Sequence, residues 1–248
     1  MNSKFIIMVI SIIVMWECSS SPEELLQDAQ LLTSQGKYEK ALLRYGQLIN
    51  DHANSSYAID AYFRMVNINL DNLREYEKGF NLLNEIVERF PETSEAMVAE
   101  EDIKQFPDWL YNKSKLYRDN NEPYKALKVL ELIMSKFSDD ELVPKAHYVI
   151  ADIHLKFLSE PQKAIEIFKE VSSAYEDTPH GPHAQFMAAY IYANVTKDLT
   201  LAEEEYSLFL EMYPDHELRT SVEFELEYLG QDVDDVVKLK EANRELDK

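Results

Sequence analysis

The sequence predicts an all-α protein, built as an α-solenoid of about five helix pairs. The first observation is composition: 46% of the 248 residues are hydrophobic and 29% are charged, a balance that supports a folded core. The second is the small number of glycines, 5 in all, which disfavours phosphate-binding loops and the tight turns of β-sandwiches. The third is an internal repeat that recurs five times along the chain.

The repeat consists of a small residue followed eleven positions later by an aromatic residue or a histidine. The five pairs are Ala41 with His52, Gly79 with Phe90, Ala126 with Phe137, Ala164 with Tyr175, and Ala202 with Tyr213. Successive small residues are separated by 38, 47, 38 and 38 positions. Between the paired positions the segments are amphipathic, since Ala164, Phe168 and Val171 have the i, i+4, i+7 spacing of a helix face.

A second set of helices is predicted around the small residues that lie nine positions after each aromatic residue or histidine. These residues are Ala61, Ala99, Ala146, Ala184 and Val222. Within a helix pair these helices come first, and those that contain Ala41 or its equivalents come second. We therefore call the two kinds first helices and second helices. In the first helices apolar residues recur at i, i+4 and i+7, as Ala146, Ile150 and Ile153 do. Helix pairs that repeat at a fixed period predict an α-solenoid, because each pair covers the apolar face of its neighbour.

Residues 1–17 are predicted to form a signal peptide rather than part of the fold. Lys4 precedes an apolar run of 12 residues that extends from Phe5 to Trp16. A membrane-spanning helix needs about 20 residues, whereas a run of this length is typical of a signal-peptide core.

The only cysteine of the chain, Cys18, follows the apolar run with one residue, Glu17, between them. This order resembles a bacterial lipoprotein signal, which implies lipidation of Cys18 and a short tether over residues 18–22. Such signals usually carry Leu and two small residues before the cysteine, where this chain has Met15, Trp16 and Glu17. An uncleaved anchor and cleavage by an ordinary signal peptidase are therefore the alternatives.

The predicted repeat array covers residues 23–230 and departs from its period once. One interval has 47 residues instead of 38, and Pro107 interrupts a helical pattern within it. We predict an insertion near residues 93–107 that contains an extra short helix over 93–105, followed by a fresh first helix over 108–119. The insertion is either a recognition element or added length tolerated at a loop.

Acidic residues dominate the charge of the chain. Lys and Arg number 25 and Asp and Glu 46, which gives a formal net charge of −21. This excludes a nucleic-acid binder and a polybasic membrane-surface domain, because both need clustered Lys and Arg. It favours partner segments that carry Lys or Arg. Residues 231–248 are predicted to form an acidic tail or a capping helix.

The six histidines and the single cysteine do not indicate a metal site or a catalytic centre. His147 and His154 share a helix face but lie about 10 Å apart along it, too far for one zinc ion. His180 and His183 flank a connection that offers no third ligand. The chain contains neither a Gly-x-Ser-x-Gly sequence nor a glycine-rich phosphate loop. We therefore expect no metal, no cofactor and no catalytic residue.

The repeat resembles the tetratricopeptide repeat (TPR) family. The stretch Gly36-Lys37-Tyr38-Glu39-Lys40-Ala41 matches the turn and second-helix signature of that family. Tyr62 lies where the family places a large aromatic residue in the first helix. The resemblance covers roughly residues 22–230. It implies a right-handed superhelix whose concave surface holds partner peptides.

Six residues of the first helices are expected, from this resemblance, to line a peptide-binding groove. They are Phe63, Asn67, Tyr148, Asp152, Phe186 and Tyr190. Aromatic anchors beside amide and carboxylate groups suit an extended peptide. The alternative interpretation is that the aromatic residues pack against the neighbouring repeat. Phe224 occupies the same register and is expected to lie in the core of a capping helix.

The order of a lipoprotein signal, a short tether and long repeats resembles the BamD-type outer-membrane lipoproteins. That resemblance implies a lipid-anchored, non-enzymatic scaffold on the periplasmic side of the outer membrane, which takes part in β-barrel assembly. Its partners would be other envelope proteins or extended peptides. The chain is more distantly similar to the TolA-binding YbgF/CpoB-type periplasmic TPR proteins, an envelope or cell-division adaptor being one alternative. An enzyme on a helical scaffold is the other.

Overall fold

The computed structural model describes residues 20–231, and over that range it contains eleven α-helices and no strand. The helices are α1 Pro22–Ser34, α2 Tyr38–Asp51, α3 Ser56–Asn67, α4 Tyr76–Arg89, α5 Ser94–Asp119, α6 Pro123–Lys136, α7 Val143–Lys156, α8 Pro161–Ala174, α9 His180–Ile191, α10 Leu199–Met212 and α11 Arg219–Glu227. Two π-helical turns, Ile68–Leu73 and Tyr192–Thr196, continue α3 and α9. The predicted all-α class is confirmed. The predicted signal peptide, Cys18 and all but the first residue of the tail lie outside the described residues.

The second helices, α2, α4, α6, α8 and α10, are the regular part of the repeat, and each has 14 residues. Their small residue is always the fourth residue of the helix and is fully buried where it is alanine, with 0% exposure. Each helix ends at the predicted aromatic residue or histidine. Its N–H donates to the carbonyl four residues earlier, over 2.8–3.0 Å. The small residue thus permits close helix contact, and the aromatic position marks the helix end.

The first helices are less uniform in length, but their small residues are equally buried. Ala61, Ala99, Ala146, Ala184 and Val222 all have 0% exposure. Each therefore lies where another helix packs closely against it, as the repeat predicts.

The turn before each second helix contains one residue in the left-handed conformation. These residues are Gly36, Arg74, Asn121, Ser159 and Lys197, with φ between 57° and 70°. They follow the same 38- or 47-residue spacing as the small residues. The next residue donates its N–H back to a carbonyl five or six positions earlier, which terminates the first helix. Only Gly36 adopts this conformation without steric cost.

The start of α1 corrects the predicted tether over residues 18–22. Ser21 caps the helix: its hydroxyl accepts from the Glu24 N–H at 3.2 Å, and its N–H donates to Glu24 Oε2 at 3.0 Å. Pro22 is the first helical residue, a position where the missing proline N–H is not needed. The helix therefore begins inside the segment that was predicted to be a tether.

The chain forms two compact units, and their boundary lies between Ile103 and Lys104, inside α5. Unit 1 contains α1 to α4 and the beginning of α5; its largest fully buried side chains include Tyr45, Tyr62, Leu48, Ile68, Leu83 and Ile86. Unit 2 contains the rest of α5 and α6 to α11; its largest buried side chains are Tyr206, Phe168, Phe209, Leu110, Leu130 and Ile133.

The predicted extra helix over residues 93–105 and the fresh start at 108 are wrong, because α5 is one helix of 26 residues that contains Pro107. Proline removes one hydrogen bond, here the bond to the Ile103 carbonyl. Burial continues past it, since Phe106, Leu110, Ser114 and Tyr117 are at most 5% exposed and share a helix face. The nine additional residues lengthen a first helix instead of forming a separate one.

Candidate partner-binding surface

The structure divides the six predicted groove residues between the two units. Phe63 and Asn67 belong to unit 1, and Tyr148, Asp152, Phe186 and Tyr190 belong to unit 2. The four residues of unit 2 lie on α7 and α9, two first helices that contact each other. We call these four residues the unit 2 face.

Tyr148 and Phe186 occupy equivalent positions of the unit 2 face and pack in the same way. The Tyr148 ring lies 5.0 Å from that of Phe168, and the Phe186 ring lies 5.9 Å from that of Tyr206. Phe168 and Tyr206 are the eighth residues of α8 and α10, and both are fully buried. Each first-helix aromatic residue is thus half buried, with one part held by the following second helix.

The remaining residues of the face supply an exposed ring and a carboxylate. Tyr190 is 39% exposed and stacks on Phe186, with ring centroids 6.2 Å apart and an interplanar angle of 26°. Asp152 lies close to Tyr148 and pairs with Lys156, whose Nζ is 2.6 Å from Oδ1. Burial and the Asp152 charge raise the pKa of Tyr148 to about 12, so its hydroxyl remains a hydrogen-bond donor at neutral pH.

One edge of the face is formed by His180 of α9, whose ring lies 5.8 Å from that of Tyr148. Burial lowers the pKa of His180, and the nearby Lys145 and His183 lower it further. The imidazole is therefore neutral at neutral pH and offers one donor and one acceptor.

A buried polar network fixes α9 against its neighbours. Gln185 donates to the Glu205 carboxylate at 2.8 Å and to the Glu205 carbonyl at 3.0 Å, and it accepts from Ser172 at 3.0 Å. Lys169 also donates to Glu205. Because every buried partner in this network is bonded, it holds the face-bearing helix in one position. The sequence alone does not reveal this network, since its residues belong to three helices.

In unit 1 the predicted residues have different surroundings. Phe63 borders a shallow cavity of about 350 Å³ together with Ser94, Glu95 and Val98. Asn67 is exposed near the end of α3. Phe63 and Asn67 thus belong to a different unit from the other four predicted residues, and the groove stays a prediction.

The expectation that Phe224 is a core residue is wrong. It is 38% exposed and lines a cavity of about 550 Å³ with Tyr190 of α9. The sequence carried a signal for this position, because Phe224 stands two residues after Val222, in the register of Tyr148 and Phe186.

No group of three or more potential metal ligands occurs within residues 20–231.

None of the helices between residues 20 and 231 has the length and apolar character needed to cross a membrane.

No protein-family model and no curated protein matches the chain. Among solved structures, it is similar to a TPR protein of Thermus thermophilus, with 20% identity over 83% of this chain and 99% of that one, at a TM-score of 0.35. YrrB, described as a TPR protein with an unusual peptide-binding site, has 18% identity over 82% and 92%, at a TM-score of 0.35. MamA of Desulfovibrio magneticus has 16% identity over 80% and 99%, also at 0.35. At these scores the similarities assign no family to the chain.

Proposed function

We propose that the protein is a non-enzymatic scaffold of TPR type that binds extended segments of partner proteins on the unit 2 face. The supporting observation is the repeated placement of Tyr148 and Phe186, each half buried and held by a buried aromatic residue of the next helix. Rings held in this way lose little side-chain freedom on binding, which is characteristic of interface anchors. The exposed ring of Tyr190 and the carboxylate of Asp152 extend the same surface.

We also propose where the protein acts and in which process. A lipid on Cys18 would hold the scaffold at the outer membrane, facing the periplasm, where it would take part in β-barrel assembly as BamD-type lipoproteins do. Support comes from the sequence, in which a 12-residue apolar run ends two positions before the only cysteine. A single acyl chain binds membranes only marginally, whereas several chains hold firmly. Cys18→Ser should therefore move the protein from the membrane to the soluble fraction, and a wild type found only in the soluble fraction contradicts anchoring.

A site-specific photo-crosslink tests the binding surface. Benzoylphenylalanine would replace Tyr190 in one variant and Tyr124 in the other, since both tyrosines are exposed, at 39% and 73%, and Tyr124 lies on a second helix, α6. We expect one defined adduct in native envelopes at position 190 and none at 124. Mass spectrometry of the adduct then distinguishes a component of β-barrel assembly from a Tol-system protein. Equal adducts at both positions would show that the face is not the binding surface.

The contribution of a single anchor is measured with Tyr148→Ala. Its loss should weaken binding of the crosslinked partner by at least about 1 kcal/mol, as buried aromatic anchors do. Tyr124→Ala is the matched control and should leave affinity unchanged. Because Tyr148 also packs on Phe168, its loss will lower the melting temperature as well. A stability loss with unchanged affinity would assign Tyr148 to internal packing alone.

A further inference from the structure

Helix α2 carries an apolar residue at a position where the other second helices carry a polar one. Leu43, two positions after the small residue Ala41, is 75% exposed. The corresponding residues of the other second helices are also exposed, and all are polar: Asn81, Lys128, Glu166 and Glu204. A lone exposed leucine is common on protein surfaces, so the residues around Leu43 decide whether it has a role.

The start of α2 also differs in charge from the starts of its equivalents. The residue directly before the helix is Lys37, whereas it is acidic before each of the other four: Glu75, Glu122, Glu160 and Asp198. The third residue of the helix is a lysine in α2, α4, α6 and α8. In α4 and α6 this lysine pairs with the preceding glutamate, and in α8 Lys163 pairs with Glu166. In α2 the positions that supply these carboxylates hold Lys37 and Leu43, and Lys40 has no ion pair within residues 20–231.

Leu43 and Lys40 line an open groove of about 390 Å³ between α1 and α2. Leu32 of α1 adds a second apolar side chain to the lining. Arg44 and Asp28 also line the groove, and they pair with each other at 2.8 Å. Because that pair is neutral, Lys40 is the charge that the lining offers to a ligand. The groove is therefore complementary to a surface that is both apolar and anionic.

The groove belongs to the helix pair that follows the proposed lipid anchor in the sequence. The Nε2 atom of His52, at the end of α2, lies 3.0 Å from the carbonyl oxygen of Ser20, so residue 20 lies against this pair. Cys18 precedes Ser20 by two residues, which span at most about 7 Å. Leu43 lies nine residues before His52, about 14 Å along the helix. A lipid on Cys18 would therefore hold Leu43 within roughly 20 Å of the bilayer.

We propose that the groove between α1 and α2 rests on the surface of an anionic lipid bilayer, with Leu43 among the headgroups and Lys37 and Lys40 beside the phosphates. This inference rests on the proposed anchoring at Cys18. The chain as a whole is too acidic to bind such a surface by charge, so the lipid supplies the affinity. An anchor fixes one point, whereas apolar and basic side chains at a second point determine which side of the pair faces the membrane.

A photo-crosslink on the full chain tests this contact in native envelopes. Benzoylphenylalanine replaces Leu43 in one variant and Asn81 in the other, because both residues are exposed and have the same register on α2 and α4. We expect a lipid adduct at position 43 that is at least about fivefold more abundant than at position 81. An adduct with a polypeptide at position 43, either a partner or a second copy of this chain, would overturn the assignment to lipid.

Vesicles make the test independent of lipidation in the cell. The chain from Cys18 onward contains every described residue, and its only thiol can be coupled to a maleimide lipid in vesicles of phosphatidylethanolamine and phosphatidylglycerol. Lys40→Gln should lower the lipid adduct at position 43 roughly fivefold in these vesicles, and much less in vesicles of phosphatidylcholine, because the lysine is attracted to anionic headgroups. Lys163→Gln is the matched control and should leave the adduct unchanged, since Lys163 has the same register on α8 and pairs with Glu166.

The two experiments separate this inference from the proposed function. If the chain is soluble in cells but position 43 crosslinks to lipid in the vesicles, the groove contacts membranes and the proposed anchoring fails. If the chain sediments with membranes but position 43 gives no lipid adduct, the anchor stands and the assignment of the groove is overturned. Equal adducts at positions 43 and 81 would overturn it too, because they would report only that unit 1 is near the bilayer.

Discussion

The second helices of the repeat are uniform in length, whereas the first helices vary in length and in the way they end. All five second helices have 14 residues and bury the same fourth position. The helices that precede them have 13, 12, 26, 14 and 12 residues, and two continue into π-helical turns. The difference indicates that the second helices form a constant frame, while the first helices carry changes in length and surface.

The candidate site lies on the first helices. The second helices contribute buried rings, such as Phe168 and Tyr206, which are not accessible to a partner. The first helices contribute the half-buried and exposed groups that rest on those rings, namely Tyr148, Phe186 and Tyr190. A repeat of this kind can change these exposed groups without changing the buried rings beneath them, because the two lie on different helices.

The largest expected effect concerns the constant frame. Ala164 has 0% exposure on α8, so Ala164→Leu must force its neighbours apart, at a cost of roughly 2–3 kcal/mol in the free energy of unfolding. Glu203→Ala, on the exposed side of α10, should change stability by at most about 0.5 kcal/mol. Denaturant titration of both variants measures the difference. Similar stabilities would mean that the fourth position is not a close helix contact.

The next effect concerns the network that joins α9 to the frame. Gln185→Leu removes three hydrogen bonds and leaves the buried Glu205 carboxylate with fewer donors. We expect a loss of about 2 kcal/mol in the free energy of unfolding. Gln162→Leu is the control, because Gln162 is an exposed glutamine on the adjacent helix α8. If the two variants are equally stable, the network does not contribute to holding the face.

Two glycines allow the turn between a first and a second helix to be compared with the interior of a helix. Gly36 has φ of +70° and no atom near an added methyl group, so Gly36→Ala should destabilise the protein by about 1 kcal/mol through backbone strain alone. Gly46 lies inside α2, also with no atom nearby, and Gly46→Ala should stabilise by roughly 0.5–1 kcal/mol. Thermal melts should therefore shift in opposite directions. A shift of the same sign would contradict the assigned turn.

The smallest effect is a pH dependence at the junction of α7 and α8. Burial lowers the pKa of His147, an effect that outweighs the nearby Glu170, so the unfolded chain takes up the proton more readily. The contribution of this group to stability is complete above its unfolded pKa, about 6.5, and is lost as pH falls from that value through the lower pKa of the folded state. His147→Gln should flatten the decline in melting temperature between pH 7 and 5. An unchanged profile would assign the decline to other groups.

The sequence by itself determined the frame. Close helix contacts admit only small side chains, so the small residues recur along the sequence at a regular spacing. Ala164 of the frame, and likewise Ala184 of a first helix, were correctly assigned to buried contacts from spacing alone. The half-buried packing of Tyr148 and Phe186 also follows that register, although their role in binding stays a prediction.

The tertiary structure decided what depends on neighbours far apart in the chain. Pro107 ends helices in isolation, yet the buried stripe on both sides of it keeps α5 continuous, since packing outweighs one lost hydrogen bond. From the sequence, Glu205 is expected to be a surface carboxylate, because it lies within an acidic run. In the structure it is buried, and hydrogen bonds from Lys169 and Gln185 offset the cost of its burial. Phe224 was expected in the core, and only the folded unit shows that it is 38% exposed and that it lines a cavity together with Tyr190.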